Sequence, residues 1–361
     1  MQKTPLLLLA LVVMLLTAGA GCLQFGSSQS KGPMGMYQSS DKGETWKQIV
    51  AFPTAAGVKS IAGINVYRIH TDPSDPMAIY LATRGQGLYY SYDNGGSWQT
   101  VPAMAGRFIY GLAVDPKDKC NIFVSDGQHI FRTEDCLRSW KLVYTEERPD
   151  QRVVSLAVDF GKSNLIYAAE LGGDILLSNN FGNSWRVTQR FGLQLQYLTA
   201  DPSTPGRVYA AAYKDGLYRS DDSGATWKNM SAGLDAFTDA NKFYRLTLNS
   251  GKKDSLFWVS KYGILRSDDA GSTWTDLKLI TPPGSVNIYG FDINGKNQNE
   301  MYYTGTILGE KNVHVRSTFY KSVDGGKNWV TKKLPTNTIP VGLLINSEKD
   351  SIVSMGFAVL N

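Results

Sequence analysis

Seven of the eight tryptophans in this 361-residue chain close one recurring eight-residue phrase, Ser-x-Asp-x-Gly-x-Thr/Ser-Trp. Complete copies run Ser39 to Trp46, Ser91 to Trp98, Ser220 to Trp227 and Ser267 to Trp274, carrying Asp41, Asp93, Asp222 and Asp269. Three copies are degenerate. Ser322 to Trp329 keeps Asp324 but has Asn328 for the hydroxyl residue, Ser178 to Trp185 has Asn180 for Asp, and Thr133 to Trp140 has Leu137 for Gly. Successive box tryptophans are 52, 42, 45, 42, 47 and 55 residues apart, the repeat length of a four-stranded propeller blade. Asp or Asn followed by Gly makes a tight turn, because the short side chain bonds nearby backbone N–H groups and Gly accepts positive φ. The Trp then starts a strand and packs its ring on the blade, with its N–H left to find an acceptor.

Ahead of each box stands an apolar run such as Gly87-Leu88-Tyr89-Tyr90. Further upstream, pairs of short β-rich runs predict hairpins at 66–71/78–83, 110–114/121–125, 153–158/165–169, 196–200/207–212, 243–248/255–260, 287–293/300–304 and 341–345/352–357. The chain therefore begins with a box hairpin that lacks an upstream pair and ends with an upstream pair that lacks a box. Joining these ends closes a ring of seven sheets, which removes long exposed edges. The expectation is an all-β, single seven-bladed β-propeller over 34–361, its last blade built from strands C and D of the N-terminus and A and B of the C-terminus.

With these boxes the chain resembles the Asp-box (BNR repeat) propellers, a group that includes sialidases, xyloglucan-cleaving glycosidases, the sortilin ectodomain and photosystem II assembly factors. The resemblance implies that the boxes lie on C–D turns, opposite the usual binding surface, and are structural. It says little about activity, because one fold hosts many functions.

Residues 1–21 read as an export signal: Lys3, an apolar run from Pro5 to Leu16, then Ala18-Gly19-Ala20-Gly21-Cys22. The last residues resemble a bacterial lipoprotein box with Cys22 acylated, and residues 22–33 would form a polar tether. Ordinary signal-peptidase cleavage after Ala20 and an uncleaved anchor are the competing readings. An exported compartment permits Cys120 and Cys136 to pair, in the A–B turn and the degenerate box of one blade; two unpaired thiols are the alternative. The net charge of +5 is mildly basic, with no Lys/Arg run, so a nucleic-acid partner is not expected. Asn229-Met230-Ser231 matches a glycan acceptor, relevant only in a eukaryotic secretory route.

Ligand-facing residues should come from the D–A and B–C loops. Those loops hold Arg84, Arg107, Arg148, Arg152, Arg186, Arg190, Tyr144, Phe191, Tyr213, Lys214, Lys242, Lys261 and Tyr262, types suited to protein or carboxylate-bearing ligands. Any one of them could equally be a solvated loop residue. Glycoside hydrolysis needs two carboxylates across a cleft, and Asp126, Glu170 and Asp215 at corresponding B–C loops are the grouping available, although the Gly beside each favours turn duty. Asp72-Pro73, Asp115-Pro116 and Asp201-Pro202 read as A–B turn residues.

A sialidase would carry an Arg-Ile-Pro sequence before its first box. Here Tyr67-Arg68-Ile69-His70 follows the first box and falls in phase with Phe243-Tyr244-Arg245-Leu246 as an ordinary A strand. Xyloglucanases resemble the chain in box sequences but pair two propellers. His70, His129 and His314 lie in different blades without ligand-spaced partners, so no metal or cofactor is expected. Two functions remain: an exported, lipid-anchored, monomeric scaffold that binds a protein or peptide on its loop face, or a carbohydrate-active propeller. A carboxylate pair in an aromatic cleft would favour the second, and an arginine-rich, carboxylate-poor face the first.

Overall fold

A computed structural model describes residues 33–359. The expectations for the leader, Cys22 and most of the tether lie outside them. Seven four-stranded antiparallel sheets succeed one another along the chain, with inner A strands Val66–Thr71, Gly111–Asp115, Val153–Val158, Leu195–Ala200, Phe243–Leu248, Asn287–Ile293 and Ile339–Ile345, numbered as blades one to seven. The seventh sheet is composite. Gly35–Ser39 pairs antiparallel with Val353–Ala358, and Lys47–Gln48 completes its outer edge, so the two chain ends close the ring. A small extra hairpin, Ala51–Thr54 with Gly57–Ser60, follows this closure. Among the described residues helix is confined to three short 3-10 turns, and no helix is long and apolar enough to cross a membrane.

The boxes fasten their turns as the residue types require. In the first, the Asp41 carboxylate accepts from the Ser39 hydroxyl at 2.6 Å, the Thr45 N–H at 2.8 Å and the Thr45 hydroxyl at 2.5 Å. Two successive residues in each box adopt positive φ: Asn94 with Gly95 is one pair, and the degenerate box instead uses Cys136 (56°) and Leu137 (73°). Gly95 also permits close approach, since a Cβ there would lie 2.3 Å from Ile49 Cδ1 of the preceding blade. Cys120 and Cys136 are joined by a disulfide across this degenerate box. Cys120 stands inside strand Asp118–Ser125, beyond the turn to which its sequence position assigns it.

Each box tryptophan packs toward the preceding blade, but its N–H meets a partner only in some. Trp98, Trp185 and Trp329 donate to the carbonyls of Ile49, Val143 and Gly326. The indole nitrogens of Trp46, Trp140, Trp227 and Trp274 are buried without a protein partner. Ring burial, worth several kcal/mol per aromatic, fixes the position; the hydrogen bond is secondary.

The A–B turns follow a rule wider than the three Asp-Pro pairs indicate. Every A strand ends in a buried Asp or Asn: Asp72, Asp115, Asp159, Asp201, Asn249, Asn294 and Asn346. Each side-chain oxygen accepts the backbone N–H two residues on, an Asx-turn that satisfies a donor the tight turn would otherwise strand. With A–B and C–D turns on one face of the ring, the D–A and B–C loops occupy the other.

Candidate functional site

On the loop face the axial channel opens into a cavity of about 620 Å³. Its wall includes one equivalent residue from each blade: Tyr67, Tyr110, Val154, Gln196, Tyr244, Tyr289 and Val341. In six of the seven A strands this residue sits at a register shift. Tyr110 occupies the equivalent place at the head of its strand, its N–H donating to the Ser125 carbonyl. A bulge re-aims one side chain while the ladder continues, and here it aims a mostly aromatic ring into the cavity.

The next residue in each strand, Arg68, Gly111, Ser155, Tyr197, Arg245, Gly290 and Gly342, faces the inner strand of the following blade. Gly111 lets neighbouring A strands converge, because a Cβ there would stand 3.2 Å from the backbone of Ser155 and Leu156. The two long cations cross the channel. Arg68 Nη1 donates to the carbonyls of Tyr110 and Val154 at 3.1 Å each, and Nη2 to that of Gln196 at 3.0 Å. Arg245 Nη2 donates to the carbonyls of Tyr289 at 3.0 Å and Val341 at 3.1 Å. Between them they hold the bulge carbonyls of blades two, three, four, six and seven. The Arg68 guanidinium also lies 5.0 Å from the Tyr67 ring centre, within cation–π range.

Arg68 and Arg245 are the residues that sequence reasoning passed over as ordinary strand positions. The signal was present in the shared Tyr-Arg-Ile/Leu phrase at 67–69 and 244–246, since arginine at an inner-strand position that faces the next blade must turn toward the channel to keep its charge solvated. Below them, burial with Arg68 and Arg245 nearby pushes the His70 imidazole pKa down to about 3, so it is neutral, and its Nε2 has no partner. Burial likewise pushes Asp292 up to about 6, against hydrogen bonds from the Ile345 and Ile293 N–H groups. Arg245 is shared with a second cavity of about 280 Å³ toward the turn face, which Asp292 also lines.

Of the loop residues singled out in the sequence, Arg84, Arg152 and Tyr213 reach the cavity. Arg84 lies 5.3 Å from the Tyr67 ring centre, and among the described residues neither Arg84 nor Arg152 forms an ion pair. Most of the others are engaged elsewhere. Arg107 pairs with Asp126 and covers the Phe131 ring, while Arg190 lies 3.6 Å from Asp174. Lys214 lies over the Tyr213 ring, Tyr262 packs on Phe237, Phe191 on Tyr218, and Lys242 pairs with Asp239. Arg186 is a correction: it lines a cavity with Asp222 and Ser223 of the next box, on the turn face, because it directly follows the box tryptophan.

The carboxylate grouping is also corrected. None of Asp126, Glu170 and Asp215 lines the axial cavity. Glu170 is fully buried within blade three, accepting from Arg148 Nη2 at 2.5 Å and from the Tyr144 hydroxyl at 3.0 Å. Arg148 also binds Glu146 at 2.8 Å and Asp174 at 3.1 Å. Burial and the neighbouring Glu146 raise the Glu170 pKa to about 8, whereas hydrogen bonding from Arg148 holds Glu146 well below the carboxylate range. One proton is thus shared by the Glu146–Glu170 pair at neutral pH. Asp126 accepts the His129 N–H at 2.7 Å and pairs with Arg107, which is the turn duty its Gly neighbour suggests. Among the described residues no group of three or more His, Cys, Asp or Glu could hold a metal ion.

The fold and cavity define an all-β, seven-bladed propeller with a cationic, aromatic channel mouth. No protein-family model matches the chain. It is 30% identical over 240 residues to xyloglucanase Xgh74A of Acetivibrio thermocellus, covering 54% of this chain and 28% of that protein. It is 24% identical over 216 residues to a probable oligoxyloglucan-reducing end-specific xyloglucanase of Neosartorya fischeri, covering 55% and 24%. The chain thus spans about a quarter of the length of these curated relatives. In fold it is similar to the GH74 enzyme of Niastella koreensis (TM-score 0.64, 17% identity, covering 82% of this chain and 51% of that one). It is also similar to YCF48 bound to D1 peptide (0.57, 15%, 82% and 93%) and to YCF48 from Cyanidioschyzon merolae (0.58, 12%, 81% and 95%). At these identities the likenesses show the fold, a seven-bladed propeller shared by glycosidases and a peptide-bound protein.

Proposed function

We propose that this propeller is a non-catalytic scaffold that captures a protein or peptide client on its loop face, the axial cavity receiving an acidic segment. One observation carries the reading: the cavity lining holds four arginines, Arg68, Arg84, Arg152 and Arg245, with no Asp or Glu. Guanidinium groups recognise carboxylates by charge-assisted hydrogen bonds, and the surrounding tyrosines supply rigid contact area. A glycosidase mechanism requires two carboxyl groups facing a substrate, and this cavity offers none. The peptide held by a YCF48 propeller supports the reading by analogy of fold. The scaffold acts outside the cytoplasm, tethered through Cys22, on the strength of the leader pattern at 1–22.

The test is fluorescence anisotropy with labelled peptides of matched length, acidic and neutral, with xyloglucan oligosaccharide as competitor and as substrate. Binding that favours the acidic peptide, weakens with salt, and falls about tenfold or more in Arg84→Ala/Arg152→Ala is expected. Equal affinity for both peptides, or turnover of xyloglucan, overturns it and restores the carbohydrate-active alternative.

A further inference from the structure

The channel floor has features that a client at the mouth does not explain. Arg68 and Arg245 approach the axis from blades one and five, and the acids on neighbouring elements do not neutralise them. Asp292 is the one carboxylate acting on Arg245; it forms no ion pair with it, and its two oxygens are engaged by the N–H groups of Ile293 and Ile345. His70, the third titratable group here, is neutral. Two guanidiniums carry ten N–H donors, yet these two make six hydrogen bonds, all to neutral backbone carbonyls. Arg245 Nη1 makes none among the described residues. Burial and then the proximity of Arg68 weaken the hold of Arg245 on its proton, with Tyr197 and Asp292 acting in the opposite direction. Carbonyl dipoles orient the guanidiniums but carry no net charge, so two half-buried cations line the channel without a counter-ion among the described residues.

We propose that the channel floor is a binding site for a small inorganic oxyanion of the sulfate or phosphate class, held between Arg68 and Arg245. A doubly charged tetrahedral ion matches two cations converging from separate blades, and it accepts several hydrogen bonds at once, which the spare N–H groups need. The carbonyl contacts fix each guanidinium in advance, so little side-chain freedom is lost on binding. By bridging blades one and five the ion would tie together two halves of the ring. The peptide reading also draws on the charge of these two arginines, but the variant that tests it, Arg84→Ala/Arg152→Ala at the mouth, leaves this site intact.

The experiment is calorimetric titration of the full chain with sodium sulfate at constant ionic strength, alongside thermal unfolding in the same series. Saturable one-site binding is expected, with a rise in Tm of roughly 4 °C at a hundredfold excess over Kd. Both should be lost in Arg245→Met and retained in Arg84→Ala/Arg152→Ala. If Arg245→Met does not fold, wild type and the mouth variant decide, because loss of binding in the mouth variant places the anion at the wrong arginines and overturns the proposal. No saturable heat in wild type overturns it as well. So does an equal Tm rise in wild type and Arg245→Met, which is a general salt effect. Sulfate binding without peptide capture would leave this site standing and remove only the scaffold reading.

Discussion

The indole N–H of Trp98 donates to the carbonyl of Ile49 at 2.8 Å, crossing from blade one to the N-terminal half of the composite blade seven. Trp98 is fully buried, so ring and hydrogen bond both act at the junction where the propeller closes. Trp98→Ala should cost about 3–5 kcal/mol. Trp98→Phe, which keeps most of the ring but leaves the carbonyl unpaired, should cost about 1–3 kcal/mol. Urea denaturation checks both values, and an unchanged stability in Trp98→Phe would mean that the hydrogen bond contributes nothing.

Acid should loosen the boxes. Hydrogen bonds from Ser139 and from the Asn328 N–H hold the pKa values of Asp135 and Asp324 down to about 2, and those of Asp41 and Asp222 are lowered by Ser39 and Thr226. A carboxylate with a depressed folded pKa stabilises the native state above its unfolded pKa of about 4 and loses that contribution as pH falls through the folded value. Stability should therefore decline between about pH 4 and pH 2. Asp222→Asn, which copies the natural Asn180 box, should fold and take up fewer protons on acid unfolding, as potentiometric titration would record.

The buried Glu170 acts in the opposite direction. Its pKa of about 8, raised by burial and then by Glu146, means that the native state binds a proton which the unfolded state releases near pH 4. Its contribution is full below the unfolded pKa and is lost as pH rises toward and through 8. Glu170→Gln keeps an uncharged partner for Arg148 and Tyr144, so its stability relative to wild type should improve between about pH 5 and pH 8. Thermal unfolding across that range tests this; an unchanged difference would show that Glu170 is ionised throughout.

Removing the disulfide should cost about 3 kcal/mol, from loop entropy over its 16-residue separation. The consequence should be local as well. Cys136 and Leu137 both hold positive φ without glycine, so hydrogen exchange in Cys120→Ala/Cys136→Ala should accelerate first at residues 133–140. Uniform acceleration around the ring would contradict a local role.

Gly111 tests the convergence of the A strands. Gly111→Val would press a side chain against the Ser155–Leu156 backbone and should cost about 1–3 kcal/mol, read as a lower urea midpoint. An unchanged midpoint would show that the strands have room to separate.

The sequence by itself determined the number of sheets, the turn chemistry and the closure of the ring, because these depend on local rules: Asp with Gly in a box, alternation in a strand, and a box hairpin lacking an upstream pair. The composite pairing of Gly35–Ser39 with Val353–Ala358 was legible because each end lacked what the other supplied. Which arginines meet was decided only in three dimensions. Arg107 and Arg148 look like Arg84 and Arg152 in the chain, yet Asp126, Glu146 and Glu170 claim the first two, since the loops that carry them lie against carboxylates of the following blade or of the loop itself. Arg68 and Arg245, 177 residues apart in sequence, share one axis because the ring brings every inner strand to its centre. No local pattern encodes that approach.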